Sequence, residues 1–190
     1  MKKTLTLAIT CALLSTSALA LTSAEEKAEK NRINTQYKSE KAQCKSLKGN
    51  PKDVCEEEAE GRQKIALAEL DFKKEPTPAN RYKVEKTKAD AAYEVADEKC
   101  DALKGNEKDV CEKDAKASHV KALEAAKVAE VRNEPEKNPN AKAADVAEAR
   151  KDANEKIREA DYEAAKQRCD ALSGDAKSAC VDDAKRKFAQ

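Results

Sequence analysis

Six cysteines offer the most chemistry in this chain, and they come in three pairs, Cys44 with Cys55, Cys100 with Cys111 and Cys169 with Cys180, each pair enclosing ten residues. Paired thiols can exchange electrons, hold a soft metal ion or close a structural disulfide. A redox-active pair usually encloses two residues, at a helix N-terminus that stabilises the thiolate. Ten residues instead place the two sulfurs on different elements. The enclosed clauses read CKSLKGNPKDVC, CDALKGNEKDVC and CDALSGDAKSAC. The midpoint of each falls between a glycine and an Asn or Asp: Gly49-Asn50, Gly105-Asn106 and Gly174-Asp175. This symmetry about a turn predicts three helical hairpins, each stapled by one disulfide. A disulfide requires Cα atoms ~4.4–6.8 Å apart, which two packed helices offer close to their turn. Closing such a loop stabilises a hairpin by ~3 kcal/mol on the chain-entropy model.

The remaining candidates for chemistry are weaker. His119 is the single histidine and has no spaced Cys, His or carboxylate partner in sequence. That pattern predicts a partly exposed helix residue rather than a metal or catalytic site. Glu56, Glu57 and Glu58 are consecutive, and successive helical residues point ~100° apart, so their carboxylates cannot converge on one ion. They read as a solvated face near a helix N-terminus. The sequence has no Gly-rich phosphate loop, no Ser/His/Asp constellation in a recognisable context and no nucleotide fingerprint. With two Phe and no Trp, it has little material for a large apolar pocket. An enzyme is not expected, and neither a cofactor nor a metal.

The elements that must position the cysteines follow from the punctuation. Pro51 follows a turn, Pro76 and Pro78 share one linker, and Pro135 and Pro139 share another. This leaves helical segments at 22–48, 51–74, 79–104, 107–133, 141–173 and 176–188. Gly49, Gly105 and Gly174 are expected to end the first helix of each hairpin in a left-handed conformation. Asn50, Asn106 and Asp175 are expected to cap the second. A Tyr stands seven residues before the first Cys of each pair (Tyr37, Tyr93, Tyr162), two turns away on one face. Cys111, Ala115, Ser118, Ala122, Ala125 and Ala129 form a seam of small residues that lets helices approach closely. Exposed i,i+4 pairs such as Glu60–Lys64, Glu69–Lys73, Asp109–Lys113, Glu112–Lys116 and Asp152–Lys156 add ~0.3–0.5 kcal/mol each. The fold class is therefore all-α: three antiparallel hairpins, each closed by one disulfide, as an elongated up-and-down bundle or array. The expected divisions are 21–78, 79–134 and 135–190.

Residues 1–20 read as a cleaved secretory signal. Lys2 and Lys3 form a basic start, Thr4 to Leu14 is apolar but too short to span a bilayer, and Ala18-Leu19-Ala20 has the form of a cleavage site. Cleavage removes two lysines and Cys11, leaving 36 basic residues (38 minus 2) against 37 acidic ones and an even six cysteines. Even cysteines in an exported chain favour disulfides. A near-neutral, mixed charge gives no electrostatic reason for nucleic acid or an anionic membrane, and no stable membrane insertion is expected after cleavage. Leu, Ile, Val and Phe make up 21 of the remaining 170 residues, so the core is thin. The dominant Ala, Lys and Glu are strong helix formers.

The tripled pattern Tyr-x6-Cys-x2-Leu-x-Gly-(Asn/Asp)-x-Lys-(Asp/Ser)-x-Cys after such a leader resembles a group of exported beta-proteobacterial proteins with repeated Cys-x10-Cys hairpins. Their members are often labelled "cell envelope biogenesis protein TolA". The resemblance covers the whole chain after the leader and implies helical hairpins in the envelope, with no catalytic residues to carry over. TolA itself keeps an uncleaved anchor and a long, largely uninterrupted helical stalk, and this sequence departs on both points. The expected function is non-enzymatic, in structure or protein interaction at the envelope of a Gram-negative bacterium, periplasmic or secreted. The partners would be envelope or periplasmic proteins. A periplasmic holdase-type stress chaperone is the second reading, and thiol-redox or metal handling the third.

Overall fold

The computed structural model describes residues 22–135 and 138–189. The leader expected over residues 1–20 lies outside them. Among the described residues there are six α-helices, a short 3₁₀ turn and no strand. They are α1 (Ser23–Cys44), α2 (Asn50–Lys74), α3 (Pro78–Cys100), α4 (Gly105–Asn133), α5 (Pro139–Arg168) and α6 (Gly174–Phe188), with the 3₁₀ turn at Cys169–Ala171.

Side chains that accept from the first turn start three of these helices. Thr22 and Glu25 form a capping box on α1. Thr77 Oγ1 accepts from the Asn80 amide, and Asn138 Oδ1 from the Asn140 amide, each with a proline at the first helical position. The first helix of each hairpin ends sooner than the sequence pattern predicts, at or beside its first cysteine rather than at 48, 104 or 173. The amides of Leu47, Leu103 and Leu172 donate to the carbonyls of Cys44, Cys100 and Cys169 at 2.9, 2.9 and 3.0 Å. These i→i+3 bonds tighten the last turn out of α geometry.

The buried residues define the architecture. Within α2, α3 and α4 they recur two apart: Ala59 and Gly61, Ala68 and Leu70, Ala89 and Ala91, Ala115 and Ala117, Ala126 and Val128. Residues two apart on an α-helix point ~200° apart, so each of these helices has two narrow, opposed seams. One seam faces the preceding helix and the other faces the following one. The substantial packing joins helices adjacent in the chain, from α1 on α2 through to α5 on α6. The result is one layer of antiparallel helices, open on both broad faces. It is the array form of the expected fold.

Small residues let these helices lie close. A Cβ built on Gly61 would sit 2.8 Å from that of Ala91 on α3. Among the described residues the largest fully buried side chains are Cys44, Cys100 and Cys169. A layer one helix thick cannot bury large side chains on both sides, which accounts for the shortage of Leu, Ile and Phe. Ion pairs cover the faces, and many cross between helices: Lys74–Glu26 at 2.8 Å, Arg62–Glu40 at 2.8 Å, Lys64–Glu94 at 3.0 Å and Lys156–Glu124 at 2.8 Å. Of the five i,i+4 pairs read from the sequence, Glu60–Lys64 forms, at 3.0 Å. In others the expected partner is taken by a neighbouring helix, Glu69 by Lys88 and Lys156 by Glu124. Helix-to-helix spacing in a thin layer puts the next helix within a lysine's reach.

Candidate functional site

The three disulfides form as Cys44–Cys55, Cys100–Cys111 and Cys169–Cys180, with Cα atoms 5.6, 5.6 and 5.7 Å apart. The first cysteine of each pair is buried at 0–1% exposure, so each bond is sheltered from one side. Because successive hairpins run in the same sense, all three staples lie along one edge of the layer. Leu47, Leu103 and Leu172 stand beside them at 40, 39 and 44% exposure. Three disulfides fit an oxidising compartment outside the cytoplasm.

The turn residues act differently from the sequence expectation. Gly49, Gly105 and Gly174 have φ of 60°, 55° and 56°, but they stand at the start of the second helix, several residues past the end of the first. Asn50 and Asn106 do not cap their own helices. The Asn50 side-chain amide donates to the Glu98 carbonyl at 2.5 Å, and Asn106 Oδ1 accepts from Gln167 Nε2 at 3.1 Å. Glu98 and Gln167 each lie two residues before the first cysteine of the next hairpin. The repeated Asn is thus a link from one hairpin to its successor. It serves the stacking of repeats, which no single clause of the sequence reveals. Asp175 holds the same position in the third hairpin, and no side-chain cap bond forms on α6.

A second repeated contact crosses each of the first two hairpins. Gln63 Nε2 donates to Asn34 Oδ1 at 2.7 Å. The equivalent residues of hairpin 2 are His119 and Asp90, with Nε2 and Oδ1 2.7 Å apart. His119 also stacks on Tyr93, with centroids 4.7 Å apart. Its side chain is 10% exposed, far more buried than the partly exposed helix residue expected. Its Nδ1 has no hydrogen-bond partner. Burial pushes the Asp90 carboxyl up, but hydrogen bonds from Lys86 and His119 outweigh it and hold the group below its ordinary value. The His119–Asp90 contact is thus the counterpart in hairpin 2 of the Gln63–Asn34 clasp, and His119 is not an isolated residue. A signal was present in the sequence, because the two pairs align when the cysteines are superposed.

The three consecutive glutamates separate as helical geometry requires. Glu56 meets Lys41 and Lys52, and Glu58 meets Arg62 and Lys99. Glu57 lies beside Glu60, Glu94 and Glu98, and burial first, then those charges, raise its pKa. Among the described residues no group of three or more His, Cys, Asp or Glu is placed to hold a metal ion. No helix there is long and apolar enough to cross a membrane.

Comparison of the chain with protein-family models, with curated proteins and with solved structures gives no match. The likeness to the TolA-labelled group therefore rests on the repeated clause alone.

Proposed function

We propose that this chain is a non-enzymatic helical protein of the periplasm or the secreted space of a Gram-negative bacterium, acting in structure or protein interaction at the envelope. The observation that carries this reading is the open layer itself. Each staple fixes its own hairpin, the Asn50 and Asn106 links join successive hairpins, and both broad faces remain open. The pairing of Cys44, Cys55, Cys100, Cys111, Cys169 and Cys180 leaves no thiol among them for redox or metal chemistry, which weighs against the third reading.

Cross-linking in intact cells, followed by mass spectrometry, tests the proposal. Discrete envelope partners with cross-links mapping to helix faces are expected. A chain found in the cytoplasm with six reduced thiols would overturn it. The holdase reading draws support from one feature, the exposed Leu47, Leu103 and Leu172 along a single edge. Suppression of the aggregation of a model client by the intact chain, lost when all three leucines become serine, would favour it over a fixed partner.

A further inference from the structure

The three hairpins are built to one plan, but their interhelical grooves differ. In hairpin 1 the groove between α1 and α2 is nearly closed, with about 30 Å³ left beside Ile33, Gln36, Glu40 and Arg62. Ile33 fills it from below. Arg62 lies across it, 2.8 Å from Glu40 and 3.8 Å from Glu58. Superposing the cysteines gives the equivalents in hairpin 2. Ile33 becomes Ala89, Gln36 becomes Ala92, Glu40 becomes Ala96 and Arg62 becomes Ser118. These four side chains are all cut back, while Tyr37 and Gln63 keep large counterparts in Tyr93 and His119.

The same groove in hairpin 2 is a cavity of about 540 Å³ with Tyr93 and His119 in its lining. It continues into a second cavity of about 590 Å³ towards Pro78 and Asn133, the two sharing Ala89, Ala92 and Ala122. Together they follow α3, whose 23 residues span about 34 Å at 1.5 Å per residue. His119, nine-tenths buried and with its Nδ1 unpartnered, lies in this lining. Hairpin 3 has Arg158, Asp161 and Lys187 where hairpin 2 has Ala89, Ala92 and Ser118, so this set of small lining residues belongs to hairpin 2.

What hairpin 1 holds in its own groove indicates what the open one lacks: an aliphatic side chain and a cation over carboxylates. One of the two carboxylates remains, since Glu40 has become Ala96. Asp114 is the equivalent of Glu58 and is met by Arg168 of the next hairpin. Glu107, also in the lining, has no ion pair among the described residues. We infer that the α3–α4 groove is a docking site for an amphipathic helix that lays an aliphatic stripe along the alanine floor and sets a Lys or Arg against Glu107 and Asp114. Alanine walls let a third helix approach two others closely, and a helix of about the same length as α3 fills the groove through i, i+3/i+4 and i+7 anchors. This inference rests on the interaction reading above and names its surface.

The test restores the cover of hairpin 1. Ala92→Gln, Ala96→Glu and Ser118→Arg are combined in the full, oxidised chain, at positions that are not buried. The probe is a fluorescein-labelled helical peptide of about 20 residues with Leu on one stripe and Arg at one end, read by anisotropy. The covered variant is expected to keep its helical circular dichroism and to bind at least tenfold more weakly. Replacing the peptide's Arg with Glu is expected to weaken binding to the unaltered chain severalfold. Equal binding by both chains overturns the inference. It is also overturned if the cover instead abolishes uptake of a fatty acid, or a concentration-dependent dimer in sedimentation, while the peptide does not bind. Should the triple variant lose helix, Ser118→Arg alone carries the same expectation. Envelope partners that cross-link equally to both chains would sink the groove but leave the interaction reading standing. No partners for either chain would sink that reading as well.

Discussion

Two glycines in this layer are held by different constraints. Gly49 has φ of 60° and ψ of −153°, a region that essentially only glycine occupies, while nothing lies within 4 Å of a Cβ placed there. Gly49→Ala should therefore destabilise hairpin 1 by about 1–3 kcal/mol through backbone strain alone, measured by urea unfolding. Gly61 has ordinary helical geometry and only space is at issue. A Cβ would meet that of Ala91 at 2.8 Å, so Gly61→Ala should cost about 1 kcal/mol after its gain in helix propensity. Combining it with Ala91→Gly should return most of the loss if the two residues couple as a contact. The charged residues give a signed expectation with pH. Glu26 accepts hydrogen bonds from Lys30 and from Lys74 of the neighbouring helix, which lower its pKa to about 2. A lowered carboxyl stabilises the fold above its unfolded value and loses that contribution as pH falls through about 2. Glu57 is raised and acts with the opposite sign. It withholds stability at neutral pH and restores it as pH falls through its raised value. Glu57→Gln should thus stabilise the protein at pH 7 by roughly a few tenths of a kcal/mol and have no effect near pH 3, where the carboxyl is protonated in both states.

At the scale of the element, the staples matter most where a helix has least else to hold it. The 15 residues of α6 are near the length at which an isolated helix is marginal in water, and α6 packs on α5 and the 3₁₀ turn that follows it, burying Ala184. Replacing Cys169 and Cys180 by Ser should raise amide exchange throughout α6 by orders of magnitude. The same change at Cys100 and Cys111 should cost about 2–4 kcal/mol yet leave α3 and α4 protected, because each has a second neighbour. The hairpins, their staples and the all-helical class were legible in the sequence, because a turn with cysteines at equal distances on either side is a local pattern. The sequence pattern carries the first helix of each hairpin too far because the 3₁₀ bonds from Leu47, Leu103 and Leu172 leave no residue-type signature. Asn50 and Asn106 look like caps in the sequence, since an Asn after a turn glycine has no visible partner until its hairpin has a neighbour. The seam through Ser118, Ala122 and Ala125 was recognised as small. In the folded layer these three residues are exposed and line the open groove, while Ala115 with Ala126 and Ala117 with Val128 form the two buried seams.

At the scale of the whole molecule, packing confined to chain neighbours makes stability a sum of hairpins and interfaces rather than one core. Hydrogen exchange should show hairpin 2 as the most protected unit and a gradient of protection towards α1 and α6; uniform protection throughout would contradict a nearest-neighbour array. The linking bonds Asn50–Glu98 and Asn106–Gln167 sit at corresponding places in successive interfaces, so Asn50→Ala and Asn106→Ala should each loosen a single interface and add independently. The outer seam closes at the far end. Where α2 and α4 present Gly61 and Ala117, α6 has Arg186, ion-paired with Asp183, and a charged residue there replaces the small one a further helix would pack on. All three disulfides lie at one edge, and α1 begins and α6 ends away from it. A pull on the two chain ends would therefore peel each hairpin open from its unstapled side and stop at the sulfurs. The ten residues inside each ring would stay slack, and each bond, once reduced under load, would release about 35 Å of new contour at ~3.5 Å per residue. The layer would behave as a tether with three fixed stops, its reach under force set by the redox state of its surroundings.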